Sequence, residues 1–241
     1  MIDISNVTTC FDSPATMEAI IRGMRNPMNS WALSDSGICK GGDDGIGCDN
    51  CSVSDRCFHT FCNEFVIGNK DYSLMEKLSK AGTSHSKYRR MMTVYVDILA
   101  PLYWWKEFDT YKIATVANSC STMHKIHEKE FTLEDFSHEH LLSAVDGTDE
   151  YYSPWFFMGM ICGVLNRYRT LYLETKDKRY WWQLIQLLPS SYNQKRTVML
   201  NYEVLANIYH DRKNHKLDEW REFCEWIRDY LPYSKLITME E

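Results

Sequence analysis

The sequence predicts an α+β fold in which helices dominate, with an irregular cysteine-rich segment near its start. Three observations support this prediction. Residues 93–99 alternate and are rich in β-branched side chains, and the chain beyond residue 150 carries apolar residues at three- and four-residue spacing. Residues 1–68 are instead punctuated by Asn-Pro, Gly-Gly and Asp-Gly pairs. We find no internal repeat, so residues 1–241 are expected to form a single domain that contains residues 36–66 as a cysteine-rich loop insertion.

Helix and strand signals follow one another in the middle of the chain. A helix is expected to begin at Asp71 or Ser73, either of which can cap it, and to end at Lys80. The strand over residues 93–99 follows, and Pro101 ends it. Because proline is tolerated at a first helical position, the next helix is expected to open directly after Pro101.

The second half of the chain is predicted to be helical. Thr132 and Asp135 resemble a capping box and predict a helix over residues 133–145. A Ser-Pro pair at 153–154 is expected to open a long helix towards Glu174. Apolar spacing predicts three more helices, over residues 178–188, 194–211 and 216–231.

Composition excludes several classes of protein. The chain has 241 residues, of which 44% are hydrophobic and 14% aromatic, so it can bury a sizeable core rather than stay disordered. Its formal net charge of -6 offers no broad basic surface, and no nucleic-acid partner is expected. The longest uncharged stretch, Tyr151 to Asn166, is 16 residues long, short of the roughly 20 that a membrane helix needs.

Cysteine use bears on the compartment and on metal binding. The first residues do not resemble a signal peptide, so a reducing cytoplasm is expected. Four cysteines lie close together in the glycine-rich segment: Cys48, Cys51, Cys57 and Cys62. Their thiolates could hold a structural zinc ion or an iron–sulfur cluster. Only the first two have the Cys-x-x-Cys spacing, so free or redox-active thiols remain an equal alternative.

A polar segment follows the predicted strand. Residues 104–112 form a charged, aromatic helix end, and the hydroxyl-rich loop over residues 118–122 comes next. Such a loop can hold a phosphate through its hydroxyls and backbone N–H groups, and an ordinary capped turn is the alternative. The basic segment at residues 207–215, taken alone, is typical of a solvated helix C-terminus.

The stretch from His85 to Met123 resembles the signature region of the flavin-dependent thymidylate synthases, the ThyX family. In that family a strand is followed by an Ala-Pro pair, an Arg-His-Arg motif and a serine-rich loop. Ala100-Pro101 falls at the matching spacing here, and residues 110–112 occupy the Arg-His-Arg positions. The resemblance continues to Arg212, covers about residues 70–231 and implies the family's α+β domain.

The resemblance implies roles for individual residues. Arg212 falls where the family has the catalytic arginine that binds the pyrimidine and polarises its ring. Flavin contacts are implied for His85, Lys112, Asn118, Asn201 and Asn207. Contacts with the nucleotide substrate are implied for Glu107, Cys120, Ser121 and Thr122, beside Arg212.

The signature also departs from the family pattern. Thr110 and Tyr111 replace the first cation and the imidazole of Arg-His-Arg, and Lys112 replaces a guanidinium by an ammonium. Thr122 and Ile185 stand where arginines would contact phosphate. At least three phosphate-handling cations are therefore missing from their expected places.

The activity that the resemblance implies is methylation of dUMP at C5. Methylenetetrahydrofolate would supply the carbon, NADPH the hydride, and FAD would carry both. Family members place each active site between the subunits of a tetramer, so a homo-oligomer is expected. Two alternatives stay open: a related enzyme with another product, such as hydroxymethylated dUMP, and a flavin-free module that binds a nucleotide or a protein. The compact, aromatic-rich sequence is compatible with a bacteriophage-encoded enzyme.

Overall fold

A computed structural model describes residues 2–39, 65–143 and 152–239 of the chain. The fold divides into two compact units. Unit 1 consists of Met1–Ser5, Asp97–Thr110 and Ala117–Thr197. Unit 2 consists of Asn6–Val96, Tyr111–Val116 and Val198–Glu241. The single domain over residues 1–241 stays a prediction.

Six strands are present among the described residues: β1 (Asp3–Thr9), β2 (Gly37–Ile38), β3 (Phe65–Val66), β4 (Thr93–Pro101), β5 (Val116–Ser119) and β6 (Asn193–Asn201). Four of them form a sheet in the order β1-β4-β6-β5, while β2 and β3 pair antiparallel with each other. The α-helices of the described part are α1 (Pro14–Arg25), α2 (Asn69–Lys80), α3 (Leu102–Phe108), α4 (Pro154–Thr175), α5 (Lys178–Leu187), α6 (Tyr202–Arg212), α7 (Asp218–Tyr230) and α8 (Lys235–Thr238).

Several predicted elements are confirmed. The strand over residues 93–99 is β4, and the helix predicted after Pro101 is α3, which begins at Leu102. The Ser-Pro pair opens α4, where the Ser153 hydroxyl accepts the Phe156 backbone N–H at 3.2 Å. Helices α5 and α7 occupy the ranges that apolar spacing predicts.

The start of α2 differs from the prediction. The helix begins at Asn69, and Asp71 is fully buried rather than acting as its cap. The helix is instead capped by Asp35, which lies far away along the chain. The Asp35 carboxylate accepts the backbone N–H groups of Lys70 at 2.9 Å and Asp71 at 3.1 Å.

The helix predicted over residues 133–145 is wrong for the described part of that range. The capping box does form, since the Thr132 backbone N–H donates to the Asp135 carboxylate at 2.8 Å. Only one 3₁₀ turn, Leu133–Asp135, follows it. Phe136 then takes an extended conformation and forms an antiparallel bridge with Tyr192, which leads the chain away from a helical path.

The single helix predicted over residues 194–211 is also wrong. Its first half is strand β6 and only its second half is helix α6. Val198 and Leu200 are buried, whereas Thr197 is exposed and Met199 is only half-buried, which is the two-residue period of a strand. Asn201 marks the change, because its side-chain oxygen accepts the Val204 N–H at 3.0 Å and caps α6.

Each unit buries its own apolar side chains. In unit 1, α4 and α5 pack with the 126–136 segment around seven residues: Ile126, Phe131, Phe136, Met158, Cys162, Leu165 and Leu184. In unit 2, α7 contributes Trp220, Phe223 and Ile227, all fully buried. None of the helices in the described ranges is both long and apolar enough to cross a bilayer.

Candidate functional site

Arg212 occupies a defined environment in unit 2. It is the last residue of α6, a position at which the helix dipole favours a cation. Its Nε donates a hydrogen bond to the Tyr111 hydroxyl at 2.9 Å. Its guanidinium carbon lies 4.9 Å from the centre of the Trp220 ring and 5.7 Å from that of Tyr111. The cation is thus held against two aromatic side chains, one of which is fully buried.

Tyr111 links Arg212 to a carboxylate. Its hydroxyl donates to Asp211 Oδ2 at 3.4 Å while it accepts from Arg212. Burial raises the pKa of Tyr111 above its usual value, although the Arg212 cation partly opposes that rise. The side chain is therefore a neutral phenol at neutral pH, with its proton directed to Asp211 and a lone pair to Arg212.

The other predicted residues of unit 2 fall into two groups. The side chains of His85, Lys112 and Asn207 are exposed, and none of them hydrogen-bonds to any residue that the structure describes. Asn201 is buried, and its side-chain oxygen is occupied by the cap of α6. Three of the four predicted flavin contacts in this unit are therefore available to a ligand, and the Asn201 oxygen is not.

The hydroxyl-rich loop lies in unit 1 and is anchored by its backbone. Cys120 N–H donates to the Lys195 carbonyl at 2.9 Å, and its carbonyl accepts Gln194 Nε2 at 2.7 Å. The Ser121 hydroxyl accepts the backbone N–H of His124 at 2.8 Å and that of Met123 at 3.3 Å. These N–H groups close a turn and are not available to a phosphate, so the capped-turn alternative describes this part of the loop.

Side-chain donors remain in unit 1. Asn118, Cys120 and Ser121 are exposed, and Thr122 is half-buried. Glu107 is half-buried near the end of α3, and its backbone carbonyl accepts the Thr110 hydroxyl at 2.7 Å. What this loop offers a ligand is thus a set of neutral hydroxyl, amide and thiol groups rather than cations.

One cluster in unit 1 was not predicted from the sequence. The Arg196 guanidinium carbon lies 4.2 Å from the centre of the Trp105 ring, and Arg196 pairs with Asp109 at 2.8 Å and with Gln194 at 3.0 Å. Trp105 Nε1 in turn donates to the Gln194 carbonyl at 2.9 Å. Trp105 and Asp109 are visible in the sequence as part of a polar, aromatic segment, but the sequence does not reveal that Arg196, 87 positions after Asp109, contacts them.

The predicted metal ligands Cys48, Cys51, Cys57 and Cys62 lie outside the described residues. The ends of the cysteine-rich segment are fixed by the β2–β3 ladder, in which Gly37 pairs with Val66. Among the described residues, no group of three or more His, Cys, Asp or Glu side chains is arranged to hold a metal ion.

Comparisons with known proteins define the fold. No family model matches the chain, and no curated protein matches it in sequence. A crystal structure of the flavin-dependent thymidylate synthase ThyX from Helicobacter pylori, complexed with FAD and dUMP, matches with a TM-score of 0.60 and 16% identity. A second ThyX structure from that organism, also with FAD and dUMP, matches with a TM-score of 0.60 and 17% identity. Each match covers 99% of this chain and 98% of the other.

The chain therefore has the helix-rich α+β fold of the flavin-dependent thymidylate synthases. This confirms the predicted fold class, and it confirms at the level of the fold the resemblance to ThyX drawn from His85 to Arg212. The roles of the individual site residues stay predictions.

Proposed function

We propose that this protein is an FAD-dependent thymidylate synthase that methylates dUMP at C5, with methylenetetrahydrofolate and NADPH as co-substrates. The observation that carries the proposal is the fold match over nearly the full length of two ThyX structures that contain FAD and dUMP. The environment of Arg212 supports it, because an oriented cation is what stabilises negative charge on a pyrimidine ring.

When bound, FAD would carry the one-carbon unit and the hydride. Three exposed side chains of unit 2 fit a polar cofactor: the Lys112 ammonium suits a phosphate, and His85 and Asn207 offer hydrogen-bonding groups to its other polar atoms. Asn201 fits less well as a direct ligand through its oxygen, since that atom caps α6. Its role is to begin the helix that carries Asn207 and Arg212.

Arg212 would act on the substrate through the charge and the fixed orientation of its planar guanidinium, without forming a covalent bond. To accept the one-carbon unit, C5 of the uracil ring must supply the electron pair, which requires negative charge to develop on the ring and its carbonyl oxygens, and a guanidinium held nearby lowers the energy of that electron-rich state. The Trp220 face and the Tyr111 hydroxyl hold the cation in place before the substrate arrives. No reorganisation of the side chain is then needed during the reaction.

The nucleotide would be oriented by the loop in unit 1. Ser121 and Thr122 offer hydroxyl donors, and Cys120 an exposed thiol, to phosphate or sugar oxygens. The Glu107 carboxylate accepts hydrogen bonds only, so it suits an N–H or a hydroxyl of the nucleotide rather than its phosphate. With hydroxyl and thiol donors in place of arginine forks, phosphate binding is expected to be weaker.

A homo-oligomer, with a tetramer as the expected state, is part of the proposal. Helix α4 exposes Phe157 (53%), Met160 (50%) and Val164 (39%), which share one helix face. Met158, Cys162 and Leu165, on other sides of α4, are buried in the core of unit 1. An exposed apolar stripe on a helix that is already packed on another side is typical of a subunit interface.

The proposal is tested by NADPH oxidation in the presence of FAD, methylenetetrahydrofolate and dUMP. We expect flavin to bind to the purified protein and oxidation to be coupled to dUMP consumption. Arg212→Lys keeps the charge but loses the planar fork, so it is expected to lower kcat about 100-fold while flavin binding is retained. A colourless protein that takes up no added FAD would instead favour the flavin-free binding module.

A further inference from the structure

We propose that Tyr111 is a positioning residue that fixes the orientation of the Arg212 guanidinium towards the pyrimidine; this inference rests on the proposed function. Tyr111 stands at the central position of the altered Arg-His-Arg motif. Comparison with the motif shows only that the histidine of the family is replaced by tyrosine at this position. In the structure its hydroxyl contacts the arginine on which the proposed chemistry depends.

The two hydrogen bonds of the Tyr111 hydroxyl fix the direction of its O–H bond and of its lone pairs. Its O–H donates to Asp211 Oδ2 at 3.4 Å, which leaves the lone pairs of the oxygen to face Arg212. Arg212 Nε donates to that oxygen at 2.9 Å. Because the guanidinium is planar and Nε–H lies in its plane, one well-aligned bond at Nε restricts rotation of the whole fork.

The aromatic rings restrain the same pair. The Tyr111 ring lies 6.0 Å from the Trp220 ring at an interplanar angle of 66°, an edge-to-face arrangement. Trp220, on α7, is fully buried, so its ring is held in place and restrains the side chains of both Tyr111 and Arg212. A phenylalanine at position 111 would keep this ring contact and lose only the two hydrogen bonds.

That substitution provides the test. Tyr111→Phe is expected to lower kcat about tenfold and to leave the KM for dUMP and the melting temperature little changed, because the hydrogen bond at Nε orients a charge used during the reaction. The matched control is Tyr230→Phe, which removes the hydroxyl of a tyrosine that is 77% exposed and should leave kcat unchanged.

A double-mutant cycle separates positioning from a purely structural role. If Tyr111 acts through Arg212, adding Tyr111→Phe to Arg212→Lys should cause no further loss of kcat. An equal tenfold loss in both backgrounds would overturn the proposal, since Tyr111 would then act independently of Arg212.

Hydrogen exchange of the Arg212 Nε–H group can be measured without turnover. It therefore tests the role of Tyr111 separately from the proposed enzymatic activity. In ¹⁵N-labelled protein, the Arg212 Nε–H signal, assigned by its loss in Arg212→Lys, should exchange slowly with solvent in the wild type and faster in Tyr111→Phe. Equal exchange rates would overturn the inference even in an active enzyme. A wild type that neither binds dUMP nor oxidises NADPH overturns the proposed function, and the exchange rates then decide by themselves whether Tyr111 fixes Arg212.

Discussion

At the scale of single residues, a buried ion pair in unit 2 holds together the segments around it. Arg25 and Asp71 are almost fully buried and their charged groups meet at 2.5 Å. Asp71 also accepts the hydroxyls of Ser34 at 2.7 Å and Ser36 at 2.6 Å. Burial alone would raise the pKa of Asp71, but these hydrogen bonds and the Arg25 cation outweigh it and leave the pKa below its usual value. The carboxylate therefore stabilises the fold in its ionised form.

Replacing Asp71 by asparagine should destabilise the protein strongly. The substitution keeps the shape of the side chain but leaves the buried Arg25 guanidinium without a counter-charge, which costs about 3–5 kcal/mol of unfolding free energy. Urea denaturation measures the difference. Asp229→Asn, which breaks an exposed pair with Arg228, is the control and should leave the midpoint unchanged.

The pH dependence gives a second measurement of the same effect. A carboxylate whose pKa is lower in the folded than in the unfolded state contributes stability above the unfolded pKa and loses it as the pH falls through the folded pKa. The stability gap between the wild type and Asp71→Asn should therefore narrow as the pH falls below the usual aspartate pKa of 3.8. A gap that stays constant through that range would show that the charge of Asp71 does not matter.

At the scale of elements, local signals and tertiary contacts contribute differently. Caps and prolines located α3 and α4 correctly, because these signals act within a few residues. The start of α2 could not be found this way, since its cap is Asp35, which lies more than 30 residues earlier. Likewise, the residues of β6 are compatible with a helix, and they form a strand because they pair with β4 and β5.

Gly68 is required by the Asp35 cap of α2. A Cβ at Gly68 would lie 2.3 Å from the Asp35 carboxylate and 2.4 Å from the Asp35 carbonyl oxygen. Gly68→Ala should therefore lower the unfolding free energy by about 1–3 kcal/mol through overpacking, as measured by chemical denaturation. A Cβ at Gly37 would meet no atom within 4 Å, so Gly37→Ala is the matched control. Equal effects of the two substitutions would contradict the capping role of Asp35.

The exposed face of α4 makes a prediction about assembly. Met160→Glu places a charge in the middle of the apolar stripe, where burial against another subunit would carry a large desolvation cost. Light scattering should show a smaller assembly for this variant than for the wild type. Tyr230→Glu, at an exposed aromatic residue on α7, should assemble like the wild type. A wild type that is monomeric at all concentrations would rule out an interface on α4.

At the scale of the whole molecule, the fold is better encoded in the sequence than the site. The signature region from His85 to Met123 and the spacing that continues to Arg212 were enough to predict the ThyX-like fold, which the structural match confirms despite 16% identity. The pairing of Tyr111 with Arg212 was not predictable, since 101 residues separate them. A comparison with the family motif shows only that Tyr111 stands in place of a histidine. It does not show the contact with Arg212, because contacts between distant positions form only in the folded chain.

The proposed function requires that a ThyX fold with an altered cation signature still performs the methylation of dUMP. The most direct measurement is the mass of the nucleotide that the purified protein forms from dUMP with FAD, NADPH and methylenetetrahydrofolate. We expect dTMP, formed in proportion to the NADPH oxidised, and a much smaller yield of dTMP from Arg212→Lys. Unchanged dUMP in a protein that has bound FAD would contradict the account, and a hydroxymethylated product would replace it with the related pyrimidine-modifying reaction.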